Sequence, residues 1–486
     1  MRQYDHFICG QNYKPSSGRA IERKSPAAGA PVARFAEGSV EDTEAAIEAA
    51  RTAFDEGPWP RLSGAERSRI LLRFADLVEA NREHLARIET EEVGKPIRYA
   101  RADIDANVGM TRFAAGMAMQ AHGESFTNLG PDRTGLVLRE PVGVVGLIIP
   151  WNFPAEIFGK KVPYALAAGC TCVVKPSEFT SGSALELSRL AIEAGVPPGV
   201  LNVVTGYGDP VGETLTRSAE VDFVSFTGST AVGRKIIAKS ADTIKPVSLE
   251  LGGKNANIVF ADADIDAAVD GVMFGIFLNS GQCCVSGSRL LVQDAIADRF
   301  MEKLVTRSTR LRVGDPNDDD TDIGSMIHAG HFDKVMGYVE AAKAQGATLL
   351  TGGAQPSAAG YFIAPTIFDH VAPTMSIFRE EVFGPVLSAT RFETATQAIA
   401  LANQSAYGLA NSVWSSDANT LMTVSRQLRS GLVWANTTLE VAPQLPFGGV
   451  KSSGYGRETG ADGFNEFTVL KTLVVNSGKR ANIYSI

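Results

Sequence analysis

Two adjacent cysteines, Cys283 and Cys284, follow Gly281-Gln282, with Glu250 lying 34 residues before the second of them. A thiolate is the strongest side-chain nucleophile at neutral pH, and a carboxylate can activate water. Together they suit covalent catalysis at a carbonyl carbon followed by hydrolysis. A cysteine in an apolar setting is commonly core. Here Gly281, Gln282 and the polar Ser286-Gly287-Ser288 flank the pair, which points to a loop or a helix start. Glu250 follows strand-like Val247-Ser248-Leu249 and lies between two leucines. Burial there would raise its pKa toward the range of a useful base, whereas a solvated surface charge is the plainer reading. Asn152, in Pro150-Trp151-Asn152-Phe153-Pro154, follows the apolar run Val142–Ile149. Its amide could donate to a developing oxyanion, an effect of roughly 3–4 kcal/mol elsewhere, or simply shape a turn before the proline.

Phosphate-binding signals take a variant form. There is no proper G-x-G-x-x-G; the nearest glycines are Gly206 and Gly208 with Gly212, and Gly228 with Gly233. A lone glycine pair is more often a turn than a phosphate loop. Yet Phe226-Thr227-Gly228-Ser229 ends a strand-like run and opens a helical one, where backbone N–H groups can meet phosphate. Lys175, Ser177 and Glu178 follow the run Thr171–Val174. A glutamate there accepts from ribose hydroxyls and repels a 2′-phosphate, favouring NAD over NADP. The six histidines form no ligand-spaced cluster, so no metal site is expected.

The elements that must hold these residues are legible in outline. Ser39 with Asp42 and Ser63 with Glu66 are capping-box patterns ahead of amphipathic stretches, so the first third reads as helical. From Val142 short β-branched runs (Val142–Ile149, Thr171–Val174, Leu201–Val204, Asp222–Phe226) alternate with helical segments such as Ser181–Ala194 and Thr230–Ser240. That alternation predicts a parallel, doubly wound sheet binding ligands at its C-terminal strand ends. A second such pattern begins after Glu250, with Asn257–Phe260, Leu290–Val292 and Val386–Ala389. Glu124–Glu140 interrupts the first pattern, and the tail Thr468–Asn476 is strand-like.

At 486 residues the chain exceeds one ordinary core, so two or more domains are expected. The net charge of −8 argues against nucleic acid or an anionic membrane as a partner. Five cysteines, two of them adjacent, make a poor disulfide framework and fit a reducing cytoplasm. The N-terminal MRQYDHFICG lacks the apolar core of a secretory signal. The strongest apolar run is too short for a bilayer, which needs about 20 residues.

Five motifs, in this order, resemble the NAD(P)-dependent aldehyde dehydrogenase superfamily: Pro150-Trp151-Asn152-Phe153-Pro154, Lys175-Pro176-Ser177-Glu178, Leu249-Glu250-Leu251-Gly252-Gly253-Lys254, Gly281-Gln282-Cys283-Cys284 and Pro446-Phe447-Gly448-Gly449. The likeness runs from about Ser25 to the C-terminus. It implies an α/β fold with a Rossmann-type cofactor domain (1–122 and 142–249), an α/β catalytic domain (250–450) and a β arm (123–141 and 467–486). The arm would pair with another subunit; without the resemblance, an edge strand within one subunit serves equally.

The resemblance also implies roles. Cys284 would be the nucleophile, forming a thiohemiacetal and then a thioester. Asn152 and the Cys284 N–H would form the oxyanion hole, and Glu250 would activate the deacylating water. Lys161 and Glu458 match positions thought to assist proton traffic, or they are a structural ion pair. Ile149, Pro150, Trp151, Lys175, Ser177, Glu178, Gly208, Phe226, Gly228, Ser229, Glu381 and Phe383 would hold NAD. A small-molecule aldehyde would meet Phe153, Ile157, Lys160, Cys283, Val285, Val441 and Phe447. Lys160 departs from the aromatic residue or arginine of many relatives. It would either meet a substrate carboxylate or pack its stem in the channel with its amine in solvent. A quaternary-ammonium aldehyde is disfavoured, since the lysine repels it and no aromatic cage is supplied. The alternatives are CoA-acylating dehydrogenation, which Glu250 opposes, a thioesterase or esterase without redox function, and a binding or structural protein on the same fold.

Overall fold

The computed structural model of the protein describes residues 1–356, 359–480 and 483–484. The β-branched runs that follow Val142 form five adjacent parallel strands at the heart of an eight-stranded sheet. In spatial order these are Val247–Glu250, Phe223–Thr227, Val144–Ile148, Thr171–Lys175 and Leu201–Val203. Nearly all their residues are buried, as expected where helices cover both faces. The first of them in sequence, Val144–Ile148, lies in the middle, and the chain builds outward from it on both sides. That reversal opens a crevice at the C-terminal strand ends.

A second, seven-stranded sheet carries Ala256–Val259, Arg289–Gln293, Val386–Phe392, Ala410–Trp414 and Leu432–Ala435 in parallel. The chain then returns. Gly454–Tyr455 adds an antiparallel edge to the first sheet, with Glu250 opposite Gly454 and Leu249 opposite Tyr455. Thr468–Asn476 pairs along its full length with Arg133–Pro141, which also takes Glu124–Phe126.

Both capping boxes are present, at the helices Val40–Asp55 and Gly64–Ala80. Such caps are worth about 1 kcal/mol each. The helical reading of the first third needs correction before Ser39. Five short strands lie between Arg2 and Ala36. Each is three to six residues long. Local hairpins, His6–Ile8 with Gln11–Tyr13 and Ala20–Lys24 with Pro31–Ala36, combine with remote pairing such as His6–Ile8 on Leu201–Val203. Strands that short carry no usable alternation, and pairing across the fold decides them.

The helix Pro154–Ala168 supplies both walls and charges to the crevice region. Pro154 suits its first turn, and Gly169 ends it in the left-handed conformation at φ 98°. Almost every residue in it is buried, Lys160 and Lys161 included. Among the described residues no helix is long and apolar enough to cross a membrane.

Candidate active site

Cys284 follows a tight turn. The short helix Leu278–Gly281 contains Asn279 at φ 49° and Ser280 at φ 57°, followed by Gly281 at φ 71°. Three consecutive left-handed residues cost conformational energy and persist only where surroundings hold them. At Gly281 a side chain would run into the Gly384 carbonyl, so glycine is required twice over. The surroundings are Asn279 Nδ2, donating to Asn152 O at 3.0 Å, and Gln282 Oε1, accepting from Ile327 N at 2.9 Å. Asn255 Nδ2 grips the Cys284 carbonyl at 2.8 Å.

Asn152 lies four residues past the central strand and is buried. Its Nδ2 donates to Gln282 O at 3.1 Å, which leaves one amide hydrogen free. Glu250 ends its strand beside Thr227, its parallel partner. Both Glu250 oxygens are buried without a hydrogen-bond partner among the described residues. Burial, then repulsion from Glu458, raises its pKa well above the ordinary carboxylate range. Gly448 makes room for it: a Cβ there would fall 2.6 Å from Glu250 Oε1. Glu458 Oε1 binds Lys161 Nζ at 2.6 Å and accepts from Thr227 Oγ1 at 3.2 Å. Lys161 also donates to Ser225 Oγ at 2.6 Å.

Three cavities meet around these groups. The largest, about 620 Å³, lies at the crevice of the first sheet. Ile149, Pro150, Trp151, Lys175, Ser177, Glu178, Gly208, Phe226, Gly228 and Ser229 all line it. Ser229 caps the helix Thr230–Ser240, accepting from Val232 N at 3.3 Å, so the helix N-terminus faces this cavity. A dinucleotide's ribose and phosphates fit that donor and acceptor set. Burial lowers the Lys175 pKa to about 8.

A cavity of about 200 Å³ continues from it, lined by Trp151, Asn152, Glu250, Cys284, Glu381 and Phe383 among others. A side chain at Gly252 would collide with the Glu381 carboxylate, which accepts from Gly253 N at 2.9 Å. A separate tunnel of about 250 Å³ reaches the same cysteine. Phe153, Ile157, Lys160, Cys283, Val285, Val441 and Phe447 line it, with Cys284, Glu250 and Glu458 at its inner end.

The two cysteines are free thiols that shift each other: the Cys284 thiol lowers the Cys283 pKa, while the Cys283 thiol and then burial raise that of Cys284. Position separates them more sharply than titration: Cys284 lines both the second cavity and the tunnel, Cys283 the tunnel alone.

Lys160 does not carry its amine out to solvent, which corrects the second of its two readings. Its ammonium is 2.8 Å from Glu156 Oε1, and its side chain is only 7 % exposed. Glu156 was legible as a partner four residues away on one helix. Other contributors had no local signal. Asp103 and Met110 enter the tunnel wall from a distant helix, Ile97–Gln120. His331 lines the second cavity, and its Nε2 lies 2.8 Å from Phe383 O. Burial lowers its pKa to about 4, so the ring is neutral and Nε2–H donates to that carbonyl. Trp151 packs edge-on against both His331 and Phe383, at 5.5 and 5.4 Å. Together they hold Phe383 at its strained φ of 62°.

Over residues 13–473 the chain matches the profile of the aldehyde dehydrogenase family. It is 46 % identical over 471 residues to aldehyde dehydrogenase family 2 member C4 of Arabidopsis thaliana, covering 96 % of this chain and 94 % of the relative. Its structure resembles that of an NAD-dependent aldehyde dehydrogenase from Sinorhizobium meliloti, at TM-score 0.98 and 50 % identity, covering 99 % and 96 % of the two chains. It also resembles the betaine aldehyde dehydrogenase of Staphylococcus aureus in complex with NAD+, at TM-score 0.97 and 38 % identity, covering 99 % and 96 %.

Proposed function

Because the chain belongs to the aldehyde dehydrogenase family and oxidises aldehydes to carboxylic acids with NAD(P), we propose a division of labour within its site. Cys284, once its thiol proton has passed to Glu250 and on to water, attacks the aldehyde carbon that arrives through the tunnel. The free Asn152 amide hydrogen and the Cys284 N–H receive the oxygen as it gains charge. When bound, the dinucleotide supplies the hydride acceptor. Glu381 and Phe383 would hold its nicotinamide end, while Glu178 and Ser229 would hold the ribose and phosphates. Glu250 takes a proton from the water that cleaves the thioester, and the thiolate returns to Cys284. Glu458 and Lys161 carry that proton onward.

The observation that supports this reading best is that Cys284 and Glu250 each line both the second cavity and the tunnel. One sulfur can therefore meet substrate from one side and hydride acceptor from the other. A 340 nm assay of aliphatic, aromatic and semialdehyde substrates with NAD, NADP and added CoA tests it. Acyl transfer to CoA in place of hydrolysis would overturn the role of Glu250.

The preference between cofactors is read from Glu178, whose carboxylate would repel a 2′-phosphate. NAD should exceed NADP in kcat/KM, and Glu178→Ser should narrow the ratio by about tenfold, the order of one charge–charge contact. Equal use of both by the unmodified protein would refute it.

We also propose association through the β arm and residence in the cytoplasm, where five free cysteines stay reduced. On the Thr468–Asn476 strand Leu470 is 62 % and Val474 59 % exposed, apolar side chains beside an unpaired backbone edge. Leu470→Asp with Val474→Asp should reduce the mass seen by light scattering toward that of one chain. An unchanged oligomer would place the contact elsewhere.

A further inference from the structure

Lys160 and Glu156 lie one turn apart on the helix Pro154–Ala168, and both face the tunnel. Their ion pair is 2.8 Å long, with side chains 7 % and 16 % exposed. The ammonium also sits 4.3 Å from the centre of the Phe447 ring, across the channel. Burial disfavours both charges. Each is nonetheless held ionised by the other: Glu156 raises the lysine pKa, and Lys160 keeps that of the glutamate low.

Two other ionisable groups of the wall are also paired. Asp103 binds Lys95, and Glu458 binds Lys161. Glu250 has no partner among the described residues, and its burial disfavours the charged form. Glu440 is exposed, where water and salt screen it. A substrate carboxylate entering the tunnel therefore finds the ammonium already bonded, and a substrate ammonium finds the carboxylate likewise. Either adds an uncompensated charge to a buried, neutral pair and competes for its one ion contact, which is unfavourable. An uncharged tail leaves the pair intact.

We propose that mutual neutralisation within the Lys160–Glu156 pair sets the charge preference of the tunnel: paired, the two leave it to uncharged aldehydes, and either member alone would make it charge-selective. The proposal rests on the reading that this tunnel feeds Cys284.

The test compares kcat/KM, with NAD, for succinic semialdehyde against pentanal and for 3-aminopropanal against butanal, each pair matched in chain length. The unmodified enzyme should favour the neutral member of both pairs. Glu156→Gln frees the ammonium and should raise the succinic semialdehyde to pentanal ratio by about tenfold or more. Lys160→Met frees the carboxylate and should raise the 3-aminopropanal to butanal ratio similarly. The double variant strands no charge and should keep the original order of preference. If a single variant fails to fold, the unmodified enzyme and the double variant decide. Preference for a charged aldehyde by either protein, or unchanged ratios in folded single variants, would overturn the proposal. Failure of the catalytic reading looks different: pentanal oxidation would then survive Cys284→Ala.

Discussion

Cys284→Ala is expected to remove aldehyde oxidation while leaving NAD binding intact. The cofactor cavity is walled chiefly by the first sheet and its helices, and its 620 Å³ chamber does not include Cys284. Loss of a nucleophile in a site that acts as a unit costs on the order of 10⁴-fold or more. The control is Cys283→Ala. That sulfur reaches only the tunnel, so its loss should leave substantial turnover. NADH production measured at 340 nm, with cofactor affinity by fluorescence titration, checks both. An active Cys284→Ala beside an inactive Cys283→Ala would assign the chemistry to the other sulfur.

Glu250→Gln should separate the two halves of the reaction. The nucleophile and the hydride acceptor's cavity remain, and the thiol proton can still pass to water, so one turnover proceeds and gives a burst of NADH near one per active site. The thioester then accumulates, since its water has no base. Steady-state turnover should fall by about 10²–10⁴-fold, the usual worth of a positioned base. Stopped-flow absorbance and intact-protein mass spectrometry read the burst and the trapped acyl group. A mutant without a burst and with near-normal turnover would refute the assignment. In the unmodified enzyme the raised Glu250 pKa means that its proton is retained to higher pH than on an ordinary carboxylate. Deacylation-limited turnover should therefore rise with pH until that proton is lost.

What the sequence made legible was local. The helix Thr230–Ser240 and the tail strand Thr468–Asn476 were read to the residue, because periodicity, caps and alternation are encoded within each segment. The cofactor and tunnel residues expected from the resemblance line three cavities that share Thr227, two of which reach Cys284. Missed features depend on distant partners. Asn279 gains its importance from Asn152, 127 residues away. His331 gains its own from the Phe383 carbonyl. The N-terminal strands exist because other strands receive them. Lys160 shows a subtler limit: its charge was plain, but whether that charge was free depended on the rotamer of a glutamate one turn earlier.

The antiparallel return of Gly454–Tyr455 onto Val247–Glu250 has a consequence for how the molecule is made. Residues between the two strands, some two hundred of them, must be synthesised and folded before the edge beside Glu250 is covered. Until then the nascent first sheet presents an open edge, a template for pairing with the wrong chain. Glu458 and Phe447 arrive with the same return. A ribosome-bound or C-terminally truncated chain therefore holds the cofactor cradle without the far wall of its tunnel. Quality control has a simple criterion to act on: an uncovered strand marks an unfinished catalyst.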